Sequence, residues 1–200
     1  KSNCRCRFLP GREEAQVTVG GQKLELVAPA GGWDHLVAAL NAGADAVYLG
    51  YSRFGARAYA DNFDLPLLKK AVLLAHERGI KVYLTLNTLL KDSELEEAAR
   101  FLDQYLQVSQ DGIIIQDLGI YKMISDLFPQ ARMHASTQLN IHNLDSALQL
   151  ESMGFKRVVL AREMTLGQIK EISSNCNLEL EVFGHGSQCY AFSGQCYLSS

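Results

Sequence analysis

Residues 81–117 read KVYLTLNTLLKDSELEEAARFLDQYLQVSQDGIIIQD. The segment opens and closes on short apolar runs, 81–86 and 112–115, rich in Val, Ile, Leu and Tyr and too short for helices. Such runs read as strands buried on both faces. Between them Leu95, Ala98, Ala99, Leu102 and Leu106 fall on one helical stripe, and Ser93-x-x-Glu96 reads as a capping box that starts it. Strand, helix, strand is a crossover unit, and a crossover returns the second strand parallel to the first.

The same unit recurs on either side. Further strand-like runs lie at 24–28, 46–49, 132–135, 157–160 and 178–183. Leu68, Ala71, Val72 and Ala75 form a second helical stripe stopped by Gly79, and Ile120, Met123, Ile124 and Leu127 form a third before Pro129. Thr165-x-x-Gln168 caps another helix. Seven β/α alternations imply an α/β fold with a parallel sheet. The spacing is somewhat shorter than the roughly 31 residues per unit of a 250-residue barrel. A doubly wound open sheet is the competing architecture, but Pro29-Ala30-Gly31-Gly32 after the first strand is a tight turn and not G-x-G-x-x-G. The expected fold is a (β/α)8 TIM-type barrel, truncated at about seven βα units. Residues 1–23 form a polar leader with at most a short strand at 16–19, and 24–200 form the barrel domain.

With 200 residues and 48% apolar content the chain can bury one core. Its net charge of −3 lacks the basic excess usual in nucleic-acid-binding domains, leaving only a local basic groove for that role. No apolar run reaches the roughly 18 residues of a membrane span, and no signal peptide is evident before the first strand. A cytoplasmic location is expected. Of five cysteines, Cys4 and Cys6 lie in the leader, Cys176 stands near a helix end, and Cys189 and Cys196 are close together. In a reducing compartment a close pair is read as ligand or redox chemistry before a disulfide.

Barrel enzymes carry their chemistry at the carboxyl ends of the strands. Those positions hold Arg57, Asn62, Asn87, Gln116, Asp117, His134, Ser136, Gln138, Asn140, Arg162, Glu163, His185, Cys189, Ser193 and Cys196. Each has a plainer reading. Asn87 or Asp117 would cap the next helix, Gln138 and Asn140 would solvate a loop, Arg162 and Glu163 would form a structural ion pair, and His134 would be a satisfied core histidine. Two thiols seven apart among small residues can meet at one metal centre, with His185 as a third ligand or a substrate contact; a closed site needs four ligands. H-E-x-x-H and G-x-S-x-G are both absent from the sequence. A Cys189–His185 nucleophilic pair is the remaining hydrolytic arrangement.

Residues 181–199, Glu181-Val-Phe183-Gly-His185-Gly186-Ser-Gln-Cys189-Tyr-Ala-Phe-Ser193-Gly194-Gln-Cys196-Tyr-Leu-Ser199, resemble the signature of the collagenase-like peptidases, the thirty-second family of peptidases with unassigned mechanism. Gln188 stands where that pattern has an apolar residue. The resemblance extends to Glu25-Leu-Val-Ala-Pro29-Ala-Gly31, Gly43-Ala-Asp45-Ala-Val-Tyr48-Leu-Gly50, Thr85-Leu-Asn87, Gln116-Asp117-Leu-Gly119, His134-Ala-Ser136-Thr-Gln138 and Ala161-Arg162-Glu163. It implies a member of a family that includes RNA C5-hydroxylases and factors for oxygen-independent ubiquinone hydroxylation beside reported collagenases. It further implies a [4Fe–4S] cluster, with Cys189 and Cys196 as two ligands and two further cysteines downstream, so that this chain is a fragment. Prephenate is the implied hydroxyl source and tRNA or rRNA the implied partner. The expected roles are catalysis by His134, Arg162 and His185, and substrate contacts from Arg57, Asn87, Gln116, Gln138 and Glu163. Arg57, Arg162 and His134 together would receive a dicarboxylate. A collagenase-like peptidase and a non-catalytic quinone-hydroxylation factor are the alternatives.

Overall fold

The computed structural model describes residues 18–19, 22–54, 62–186 and 189–195. Two short strands, β1 (Thr18–Val19) and β2 (Gln22–Lys23), pair antiparallel ahead of the main sheet. The expected short leader strand thus forms in part and has a partner.

Seven strands then alternate with six helices: β3 (Val27–Pro29), α1 (Trp33–Asn41), β4 (Ala46–Gly50), α2 (Leu65–His76), β5 (Lys81–Leu86), α3 (Asp92–Leu106), β6 (Gly112–Ile115), α4 (Leu118–Leu127), β7 (Met133–Ala135), α5 (Leu144–Ser152), β8 (Arg157–Val159), α6 (Leu166–Asn175) and β9 (Glu179–Glu181). All seven expected runs are strands. They pair in parallel and in chain order from β3 to β9. The order never reverses, as a doubly wound sheet would require. No ladder joins β3 to β9 among the described residues, so the sheet is a curled, partly closed barrel.

The outer face of the sheet carries the main core. Val47, Leu49, Val82, Leu84, Leu86, Ile113, Ile115 and Val158 pack against Leu36, Leu68, Val72, Leu102, Ile120 and Ile172 of the helices. The helical stripes read from the sequence are therefore mostly the buried faces, except that Leu127, at the end of the α4 stripe, is exposed. The barrel interior is a smaller apolar set, Ala46, Tyr83 and Ile114, with Val27 and Tyr48 against it.

Helix starts follow side-chain chemistry. Asp64, Asp117, Asn143 and Thr165 each accept an amide N–H from the first turn of the helix they precede. Thr165 and Gln168 form the expected box, the Gln168 carboxamide taking the Thr165 N–H at 2.8 Å. The box expected at Ser93 does not form. Helix α3 begins two residues earlier, with Lys91 as the cap and Asp92 as the first helical residue, and Glu94 reaches back to the Lys91 N–H at 2.8 Å. Glu94 is the carboxylate at the third helical position, where reach to the cap amide is best.

Candidate functional site

Parallel pairing puts the inward side chains of neighbouring strands side by side. One register row runs Gly50, Thr85, Ile114, His134, Arg157, Glu179 from β4 to β9. Because a barrel staggers its strands, this row begins at the last residue of β4 and ends at the first residue of β9. His134 is accordingly well inside the barrel. Its ring is 1% exposed, neither nitrogen has a hydrogen-bond partner among the described residues, and it lies edge-on to Tyr83 with centroids 4.8 Å apart. Burial first, and then the nearby Arg157 and Arg132 charges, lower its pKa to about 3. It is neutral at pH 7 and is not the satisfied core histidine that was the plainer expectation.

Beside it lies a charged network that the sequence reading did not single out. Arg157 has an 8% exposed side chain and donates to Glu25 at 2.7 Å, to Glu179 at 2.9 and 2.6 Å, and to Glu181 at 3.3 Å. Its guanidinium also stands 4.9 Å over the Tyr83 ring. Glu25 receives Lys81 at 2.7 Å and the Tyr83 hydroxyl at 2.6 Å. Burial alone would raise the Glu25 carboxyl; donors from Arg157, Lys81 and Tyr83 outweigh it and bring the pKa to about 2. Glu181 is held less firmly. There burial exceeds the pull of Arg157, and its carboxyl is pushed up.

Above this network, at the carboxyl ends of the strands, lies a cavity of about 280 Å³. Every strand from β3 to β9, or the loop after it, contributes to its wall: Gly31, Tyr48, Asn62, Thr85, Asn87, Ile114, Ser136, Gln138, Val159, Glu181 and Phe183 all face it. Gly50 matters to this wall. A Cβ there would stand 2.8 Å from Asn62 Oδ1, so the absence of a side chain admits Asn62. The Gln138 Oε1 atom is buried with no hydrogen-bond partner among the described residues. The wall hydroxyls bond to backbone: Ser136 Oγ accepts the Gln138 N–H at 3.2 Å, and Thr137 Oγ1 donates to Leu160 O at 3.3 Å.

The loop after β9 closes one side. Ser193 is fully buried; its N–H donates to Glu163 Oε1 at 2.9 Å, and its Oγ accepts from the Arg162 N–H and Nε at 3.1 and 3.2 Å. Arg162 also donates to Ala191 O at 3.1 Å. The expected Arg162–Glu163 ion pair is thus a two-handed grip on Ser193. Burial opposes the effect at Glu163, but the donors from Ser193 prevail and lower its pKa. Gly194, at φ 75°, lets this loop lie on the Gln138 carbonyl, which a Cβ would meet at 2.4 Å.

Of the expected site residues, Asn87 and Gln138 line the cavity. Gln116 donates to Asn87 O at 2.8 Å and so braces that wall. Asp117 is a cap, as its plainer reading had it; it accepts the Ile120 N–H at 2.9 Å and the Leu90 N–H at 3.1 Å. Asn87 caps no helix, since α3 starts after Lys91. Glu163 and Arg162 hold the loop and do not line the cavity. The expectation that Arg162 and His134 share the cavity mouth is not met: Arg162 is turned to the loop, and His134 lies beneath the wall. His185 and Cys189 are exposed on the rim loop after β9. Arg57 and Cys196, with Cys4 and Cys6, lie outside the described residues. Cys176 caps the end of α6, 3.2 Å from Glu151 and away from the cavity. Glu181, Tyr48 and Phe183 were not singled out as site residues from the sequence; the strict inward alternation of β4 and β9 is the signal that would have found Tyr48 and Glu181.

A cluster would need four thiolates. The described residues offer one rim thiol, Cys189, and no group of three His, Cys, Asp or Glu side chains among them converges to hold a metal. By themselves they do not make a cluster site.

A parallel barrel with a cavity at the carboxyl ends of its strands has the architecture of the barrel enzymes. Within that class the chain belongs to peptidase family U32, whose model matches residues 31–200. It is 43% identical over 183 residues to the 23S rRNA 5-hydroxycytidine C2501 synthase of Escherichia coli, covering 92% of this chain and 27% of that protein. It is 41% identical over 180 residues to tRNA hydroxylation protein P of Helicobacter pylori, covering 89% and 43%. A protein named collagenase, from Porphyromonas gingivalis, is 35% identical over 187 residues, covering 88% and 44%. The chain therefore spans less than half the length of these relatives. A solved U32 peptidase superposes with a TM-score of 0.66 at 13% identity, covering 84% of this chain and 71% of that one, a likeness of fold alone. No helix of the described residues is long and apolar enough to cross a membrane.

Proposed function

We propose that this chain is the cavity-bearing part of an RNA pyrimidine C5-hydroxylase acting on tRNA or rRNA, with prephenate as the hydroxyl source. The observation that carries the reading is the cavity at the carboxyl ends of the strands, a largely apolar wall set with Asn87, Gln138 and Glu181, in a barrel whose relatives include proteins named for RNA hydroxylation. Cys189 and Cys196 are then two ligands of a [4Fe–4S] cluster, the other two coming from elsewhere in the whole protein. The rim position of Cys189 supports its part in this. Arg57 is the cation left to meet prephenate, because Arg162 is engaged by the loop. The peptidase name finds less support in the wall, where the Ser136 and Thr137 hydroxyls bond to backbone and not to a base.

The test is mass spectrometry of 5-hydroxycytidine and 5-hydroxyuridine in RNA from a strain lacking the gene, complemented with the whole protein. Loss of one modification on deletion and its return with wild type, but not with Cys189→Ala, is the expected result. Anaerobic reconstitution of the whole protein should give an iron–sulfur absorbance that Cys189→Ala or Cys196→Ala removes. Unchanged RNA in the deletion strain, with metal-independent gelatin cleavage by the pure protein, would overturn the proposal in favour of a peptidase.

A further inference from the structure

We propose that Arg162 and Glu163 are positioning residues: by gripping Ser193 they set where the loop after β9 holds Cys189 on the rim of the cavity. The proposal rests on the hydroxylase reading above in taking Cys189 as a working thiol, and it gives the pair a task other than contact with a reactant.

The loop is packed inside out. Ser193 is fully buried, while Phe192 is 66% exposed and Tyr190 stands wholly in solvent. A loop ordered for stability alone would bury its aromatic rings, which carry most of its apolar area, and leave its serine in water. Here the polar residue is the anchor.

The anchor is also fully used. A hydroxyl has one proton to donate and two lone pairs that accept. Ser193 Oγ accepts from the Arg162 N–H at 3.1 Å and Nε at 3.2 Å, and donates to Glu163 Oε1 at 3.3 Å. The Ser193 N–H adds a bond to the same Glu163 oxygen at 2.9 Å, and the Arg162 Nη2 reaches Ala191 O at 3.1 Å. These bonds all fall on Ala191 and Ser193, and neither charged residue lines the cavity.

The place of the anchor gives it a purpose. Gly194, at φ 75°, rests on the Gln138 carbonyl, so the turn is fixed against a residue of the cavity wall. The Gln195 N–H closes the turn on Phe192 O at 3.0 Å. In the sequence the held residues lie between Cys189 and Cys196. Ala191 follows Cys189 by two residues, a span of at most about 7 Å, so holding Ala191 confines the thiol-bearing backbone to the rim.

The test uses the whole protein with para-trifluoromethylphenylalanine in place of Phe192, a single fluorine probe of the loop. Arg162→Met/Glu163→Ala removes both arms of the grip. Gly194→Val leaves both arms intact but pushes the turn away, because a Cβ there would meet the Gln138 carbonyl at 2.4 Å. Glu163→Gln keeps an acceptor oxygen in the same place. In the double variant and in Gly194→Val the fluorine line should narrow and move toward the shift of the free amino acid. RNA hydroxylation in the complemented deletion strain should fall roughly 10–100-fold in both, the cost of a misplaced working group. Glu163→Gln should match wild type in line and in hydroxylation, and an unchanged far-ultraviolet circular dichroism spectrum separates a released loop from a lost fold. An unmoved line in the double variant, or loss of hydroxylation in Glu163→Gln with its line unmoved, would overturn the proposal. The two readings fail separately. A released loop with hydroxylation at the wild-type level, in either variant, sinks only this one. Unchanged RNA in the deletion strain sinks the hydroxylase reading. The positioning role then survives only if the alkylation rate of Cys189, read by peptide mass spectrometry, changes along with the fluorine line in both variants.

Discussion

Gly112 carries no side chain because the His134 ring fills the space one would occupy. A Cβ on Gly112 would stand 2.5 Å from His134 Cε1 and 2.7 Å from Nε2, distances no real contact shows. Gly112→Ala should cost about 1–3 kcal/mol by overpacking. Most of that should vanish when measured in a His134→Ala background, and urea unfolding of the four proteins gives the coupling; additive losses would mean that the ring does not press on Gly112. The same histidine sets an acid limit on the fold. Its folded pKa, about 3, lies below the ordinary value of 6.5, so the unfolded chain binds more protons throughout that window. Stability should therefore fall as pH drops below 6.5, by up to about 1.4 kcal/mol per unit. Glu25, whose folded pKa of about 2 lies below 4.5, should add its own loss only below pH 4.5. Urea midpoints at pH 7, 6 and 5 should slope downward in wild type and flatten in His134→Leu. An equal slope in the variant would assign the effect to another group.

At the scale of elements, the loop after β9 is held in place by residues of the loop after β8. Ser193 is the clasp, with Glu163 on its amide and Arg162 on its hydroxyl. Glu163→Ala should remove the two hydrogen bonds that Ser193 donates to its carboxylate, from N–H at 2.9 Å and from Oγ at 3.3 Å, together about 1 kcal/mol at this partly exposed site. Hydrogen exchange of the Ser193 amide should then quicken about fivefold to tenfold, with little change in the midpoint of global unfolding, because the loop opens locally. Unchanged exchange would show that Arg162, with Gly194 resting on the Gln138 carbonyl, holds the loop without Glu163. The helices show how far spacing is informative. The stripe of α3 was legible from Leu95 to Leu106, but its start was not: Ser93-x-x-Glu96 and the Glu94 bond to Lys91 are both sound local chemistry, and packing of Ala98, Phe101 and Leu102 on the sheet selects the register of the turn before them.

Over the full barrel, Arg157 ties opposite ends of the strand order together. It sits on β8 yet bonds to Glu25, just ahead of β3, which only a curled sheet permits. Replacing it with Met should cost about 3–5 kcal/mol at pH 7, since Glu25, Glu179 and Glu181 would lose their shared cation in the barrel interior. The deficit should shrink below pH 4.5 as those carboxylates take up protons. Urea unfolding at pH 7 and pH 4 measures both effects, and a loss under 1 kcal/mol at pH 7 would mean that Lys81 and Arg132 carry the balance alone.

The alternation of strand and helix, the parallel order, the outer core and the end of the barrel where the site lies are all written in residue order. Each rests on local periodicity and on the geometry of crossovers, which neighbouring residues impose on one another. Depth is not written there; folding in three dimensions sets it. His134 and Gln138 are four residues apart and both read as strand-end residues, yet one lies beneath the cavity and the other in its wall. The stagger of the strands fixes that height, pairing His134 with Arg157 at the very start of β8. Glu25 and Arg157 were likewise ordinary charges in the sequence. Closure of the sheet brings them from 132 residues apart to 2.7 Å, and no local pattern records a contact made by curvature.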